Sequence, residues 1–118
     1  MPVFSRKQNT NNYHQRIERV ITGGEEILDA IRASAHSFES IKTLFARTSK
    51  WLQAGKTELA RIYNNAAVYE ALPDEIPVRL DDDSHTDIID ALTSVIEERI
   101  GALNEIRRQT REYDAAAN

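Results

Sequence analysis

Apolar and small side chains recur at Phe38, Ile41, Phe45, Leu52, Leu59, Ile62, Ala66 and Tyr69, in a register that Thr48 and Gly55 complete in steps of three and four. On a helix those steps place side chains on one stripe. Leu44, Trp51, Tyr63 and Val68 widen the stripe beyond a two-position seam, as a helix with more than one neighbour requires. Pro73 cannot continue a helical hydrogen-bond ladder, so the spacing predicts a helix over 37–72 with Ser37 as its N-cap. Ala54-Gly55-Lys56-Thr57 offers a possible stop, but the stripe keeps its phase through Gly55, which favours one helix.

Upstream, Tyr13, Ile17, Val20, Ile21, Ile27, Leu28 and Ile31 predict a first helix over 13–33, with Asn12 as its N-cap. Gly23-Gly24 weakens it by about 1 kcal/mol per glycine relative to alanine. Thr22-Gly23-Gly24-Glu25 also reads as a capping box that restarts a helix, but the unbroken phase favours a continuous one. Between Ala33 and Phe38 two readings compete. The heptad register from Ile17 to Ala66 allows one kinked rod. The polar Ser34-Ala35-His36-Ser37 stretch allows a turn, and we prefer the turn because folding back buries more apolar surface.

Residues 73–83 read as a proline-containing connection in which Ile76, Val78 and Leu80 alternate with Pro77 and Arg79. That period-two pattern suits an extended segment laid over the bundle, or an edge offered to a partner strand. Asp81-Asp82-Asp83 and the N-cap Ser84 announce a last helix over about 85–114. Ile89, Leu92, Ile96, Ile100, Leu103, Ile106 and Tyr113 form its stripe, beside Ile88 and Val95. The expected architecture is an all-α antiparallel bundle of two or three long helices, elongated, occupying 13–118 behind a polar tail over 1–12. Val3 and Phe4 are the tail's natural anchors.

Composition agrees with a folded helical domain: 41% of the residues are hydrophobic and 29% charged, and four glycines and three prolines are too few turn formers for a many-stranded β fold. The absence of cysteine excludes disulfides and thiolate metal sites. The amino end shows no signal-peptide pattern, and no apolar run approaches the ~20 residues of a transmembrane helix. The net charge of −4 is uneven: residues 1–72 carry +3 and residues 73–118 carry −7. A basic arm packing on an acidic one explains this, as does an acidic surface that docks a basic partner.

Candidate chemistry is sparse. His14, His36 and His85 are scattered, and neither HExxH nor Glu-x-x-His occurs. Asp81, Asp83, His85 and Asp87 alternate as in a calcium loop, but the loop's glycine is absent and its twelfth position is Leu92. The basic residues of the central helix are spread around it and interrupted by acids, unlike a nucleic-acid footprint. No catalytic, cofactor-binding or metal-ligating residue, no cofactor and no small-molecule substrate is expected, nor is binding to nucleic acid or membrane. The expectation is a non-enzymatic structural subunit. It would form a homo-oligomer or pack into a larger protein assembly, such as a virion or secretion apparatus, in the cytoplasm or within the assembled particle. The alternative is a cytosolic adaptor or chaperone that binds a partner helix. Interface candidates are Phe4, Phe45, Trp51, Leu52, Leu59, Ile62 and Tyr69.

Overall fold

The computed structural model describes residues 3–8, 11–34 and 36–117. Tail residues 1, 2, 9 and 10, and Ala35 of the expected turn, lie outside the described residues. Three helices carry the fold: α1 (Tyr13–Ala33), α2 (Phe38–Ile62) and α3 (His85–Ala117). They pack against one another in a bundle measuring 52 × 23 × 19 Å.

α1 continues through Gly23-Gly24, as α2 does through Gly55. The chain turns after α1. Ser34 is extended, His36 adopts the left-handed region at φ 54°, and Ser37 caps α2 by accepting from the Ser40 N–H at 3.2 Å. A non-glycine residue is uncommon there. Its ring is fastened back to α1, where Nε2 lies 3.1 Å from the Ile31 carbonyl. A carbonyl only accepts, so Nε2 carries the proton. Asn12 precedes α1 without a capping side-chain bond, because its backbone (φ −88°, ψ 20°) is not the extended form a capping side chain needs.

The second helix ends ten residues earlier than the spacing predicts. Tyr63 turns extended (φ −101°, ψ 143°) and makes an antiparallel bridge with Arg6 of the tail. Lys7 N–H donates to the Ile62 carbonyl at 2.8 Å, and Asn64 N–H donates to the Ser5 carbonyl at 2.9 Å. The tail thus takes up backbone groups that a continuing helix would have used internally. The stripe residues Ala66 to Val68 form one 3-10 turn instead.

Pairings across the bundle fix its direction. Phe38 meets His85, Leu52 meets Arg99, and Tyr63 meets Thr110. The residue numbers rise together at a constant offset, so α2 and α3 run parallel. The expectation that the last helix lies antiparallel along the central one is therefore corrected. Residues 63–84 return along the length of the bundle, and Ile76, Val78 and Leu80 tuck their side chains against the core. α1, whose Arg16 pairs with Glu58 and whose Glu18 pairs with Arg107, runs antiparallel to both. The amino ends of α2 and α3 therefore share one end of the rod.

The core forms two clusters. Ile27, Ile31, Ile41, Leu44, Leu52, Ile88, Leu92 and Ile96 fill the end where α2 and α3 begin. Tyr13, Ile17, Ile21, Leu59, Ile62, Tyr63, Leu103 and Ile106 fill the other. Each fully buried Leu or Ile contributes roughly 1.5–3 kcal/mol. Trp51 packs against both clusters, and its indole lies across Gly23-Gly24. A Cβ added at Gly24 would stand 2.4 Å from Trp51 Cζ2.

This contact sets opposite signs for two glycine substitutions. Gly24→Ala loses about 1–3 kcal/mol to overpacking despite alanine's better helix propensity. Gly101→Ala, in open space on α3, gains about 0.5–1 kcal/mol. Urea unfolding followed by circular dichroism measures both. Trp51→Leu added to Gly24→Ala recovers part of the loss if the indole is the cause.

Candidate interaction surface

A groove of about 540 Å³ runs between the first half of α1 and the second half of α2. Its floor is Val20, the half-buried Trp51, Ala54 and Gly55, and its rim is Arg16, Arg19 and Arg61 against the single carboxylate of Glu58. The floor is shallow for a physical reason. Trp51 Nε1–H donates to the Val20 carbonyl at 2.7 Å, inside α1, and Gly24 leaves room for the ring. Opposite, a Cβ at Gly55 would meet Val20 Cγ1 and an Arg99 amino nitrogen at 3.3 Å. Small residues thus draw the two helices together and leave the indole as the groove's broadest apolar surface.

On the rim, Glu58 accepts a short hydrogen bond from Arg16 and lies 3.7 Å from Arg61. Arg19 is exposed and has no ion-pair partner among the described residues. The groove is therefore a cationic patch on a chain whose net charge is −4.

The opposite end of the rod differs. Phe38, 45% exposed, stands beside His85 with ring centroids 6.1 Å apart. Val3 and Phe38 are the exposed large apolar side chains of the described residues. At this end of the rod the exposed acids are Glu39, next to Phe38 in the chain, and Asp87 in the first turn of α3, while Asp81 and Asp82 line a hollow beside Phe45. Two helix amino ends favour those acids. Asp83 accepts from the Arg79 N–H at 2.7 Å, and Ser84 caps α3 by accepting from the Asp87 N–H at 3.1 Å. Among the basic side chains nearby, Arg79 is 3.6 Å from Asp82, and Lys42 lies one turn along α2.

The seven residues expected at an interface are thus distributed unequally. Leu52, Leu59 and Ile62 are at most 1% exposed, so the chain's own core uses them and a partner cannot reach them. The stripe they belong to is shared with α1 and α3 of the same molecule. Trp51 is half-buried on the groove floor. Phe45 is half-buried beside Val78 and Leu80 of the connection. Tyr69 packs on the second cluster. Phe4 meets the Tyr63 ring edge-on at 6.2 Å, so the tail's anchor is this chain itself.

Three polar residues are buried in the core, and of these only Thr48 stood in a predicted stripe. Arg99 is 3% exposed, donating to the Leu52 carbonyl at 2.8 Å and, through a short bond, to the Pro73 carbonyl. Burial pushes its pKa below the ordinary guanidinium value, partly opposed by Asp74. Thr48 and Thr110 are fully buried, each hydroxyl donating to the carbonyl four residues back. Since Thr110 donates to Ile106, Tyr63 O–H donates to Thr110 Oγ1 at 2.6 Å. The signal was in the register: Ile88, Leu92, Val95, Arg99, Leu103, Ile106 and Thr110 form one ladder of threes and fours.

Among the described residues no group of three or more His, Cys, Asp or Glu side chains is placed to hold a metal ion, and no helix is long and apolar enough to cross a membrane. No family model matches the chain, and neither the curated proteins nor the solved structures contain a match.

Two outcomes follow from the buried polar groups. Arg99→Ala opens a cavity and strands the Pro73 carbonyl, costing about 2–4 kcal/mol in urea unfolding. Burial raises the Tyr63 pKa above the ordinary phenol value, with the Thr110 bond and Arg6 opposing. The unfolded phenol ionises first, so its stabilisation is complete below pH ~10 and fades as pH rises through the folded pKa. Ultraviolet titration of the four tyrosines then shows one ionising late, and Tyr63→Phe removes that late step.

Proposed function

We propose that this chain is a non-enzymatic assembly subunit, a self-contained three-helix rod that packs into a larger multi-protein structure through its surface. The observation that carries this reading is the division of the rod's exterior. An apolar groove rimmed with arginine lies on one side and an exposed phenylalanine near acids lies at one end, while the core closes within the chain. Its buried polar groups support the reading, because Arg99, Tyr63 and Thr110 spend their hydrogen bonds tying elements together.

The adaptor alternative draws support from a second groove of about 510 Å³ at the α1–α2 turn. Ala30, Ala33, Ser34, Ser40 and Leu44 present low walls there, on which a partner helix could lie. The burial of Leu52, Leu59 and Ile62 favours an assembly built on the outer surface rather than on a shared stripe.

The test is the size of the chain in a gentle extract of the cells that make it, followed by antibody across a sizing column. A subunit elutes in a species of defined mass well above 13.4 kDa. Elution as the free 13.4-kDa chain overturns the assembly reading. An adaptor shifts only when a partner helix is supplied.

A further inference from the structure

We infer that the arginine-rimmed groove of one copy receives the Phe38 end of a second copy, so that the rods join head to tail. The inference rests on the assembly reading above and names the partner of the surface it invokes. Each half of the contact has the property the other lacks. The groove offers a flat apolar floor, Trp51 with Ala54, inside a rim of three arginines and one glutamate. The Phe38 end offers an aromatic ring 45% exposed, with Glu39 next to it in the chain and Asp87 two residues beyond the His85 that it meets.

An exposed aromatic with charged residues next to it is the form of an interface anchor with a polar rim. Phe38 laid on the Trp51 indole gives an aromatic pair, and Glu39 and Asp87 then face Arg19 and Arg61 across the rim. The free Arg19 is the stronger contributor, since Arg16 already holds Glu58.

The fold separates the two surfaces so that one molecule cannot satisfy both. Phe38 lies where α2 and α3 begin, whereas the groove is lined by the far half of α2 and the near half of α1. The parallel course of α2 and α3 puts both helix amino ends, and the acids they favour, at the Phe38 end. A contact between two different surfaces is heterologous, and it leaves each copy with one groove and one Phe38 end unused until the next copy arrives. The chain's uneven charge, +3 over 1–72 and −7 over 73–118, matches this arrangement.

Sedimentation equilibrium of the purified full chain tests the inference, at about 20 mM and about 500 mM salt. Wild type self-associates at low salt and weakens about tenfold or more at high salt, as charge pairing across a rim demands. Phe38→Ala weakens it by a similar factor. The decisive arm uses two charge-reversed chains, Arg19→Glu/Arg61→Glu and Glu39→Lys/Asp87→Lys, each first shown by circular dichroism to melt cooperatively. Each alone stays monomeric, and mixing them restores association, because every groove again meets an end of opposite charge.

A wild-type chain that stays at 13.4 kDa up to ~1 mM at low salt overturns the inference, as does association that both reversed chains retain separately. Either result leaves the assembly reading standing if the chain elutes in a large species from its own cells. A free monomer in that extract removes the assembly reading itself.

Discussion

The seat of Trp51 on Gly23-Gly24 is the constraint on which the bundle depends. The indole joins the two core clusters, and its N–H uses a carbonyl in the interior of α1 at 2.7 Å. Only glycine at position 24 leaves space for the ring. Two residues that look like helix weaknesses in isolation are therefore the condition for close approach. The lost helix propensity, about 1 kcal/mol per glycine, is offset by burial of most of a large aromatic. The groove floor follows directly, because a ring laid against the glycines of α1 stays only half-buried.

Arg99 performs the corresponding task between α2, α3 and the returning connection. A guanidinium presents donors in a fixed planar fork, so one side chain can bind two carbonyls that face it from different elements. Here those carbonyls belong to Leu52 and Pro73. The connection is thereby fastened where it leaves the second cluster, and Lys56 holds Asp74 nearby at 3.6 Å. A chain that must send residues 63–84 back along the bundle needs such a fastening, since a long connection has little secondary structure of its own to fix its course.

Much of the architecture was legible in the sequence because period and phase are local properties. The continuity of α1 and α2 through their glycines was readable from the register, as were the Ser37 and Ser84 caps and the alternation of Ile76, Val78 and Leu80. The end of α2 at Ile62 was not, since the competitor for its backbone groups is a tail strand some 55 residues away. The direction of α3 was equally hidden. A 22-residue connection is compatible with either sense, and Arg99 and Thr110, which mark the true contact ladder, are polar. Of the candidate surface, Trp51 stood among the expected interface residues, but its arginine rim did not. Arg16, Arg19 and Arg61 belong to two helices and come together only when α1 folds back on α2. Phe38 was read as stripe and stands in solvent, because α2 begins there and has no helix above it.

The strap formed by residues 3–8 has a consequence for synthesis. Arg6 pairs with Asp114 across 108 positions and stacks on Tyr13 at 4.6 Å, while its neighbours bond to Ile62 and Asn64. Residues 3–8, made before any of these partners, therefore complete their contacts only after nearly the whole of α3 has emerged. Until then the Tyr63 hydroxyl lacks Thr110 and the Arg6 guanidinium lacks Asp114. Vectorial folding can complete the α1–α2 hairpin early, but that end of the rod closes only once α3 has been made.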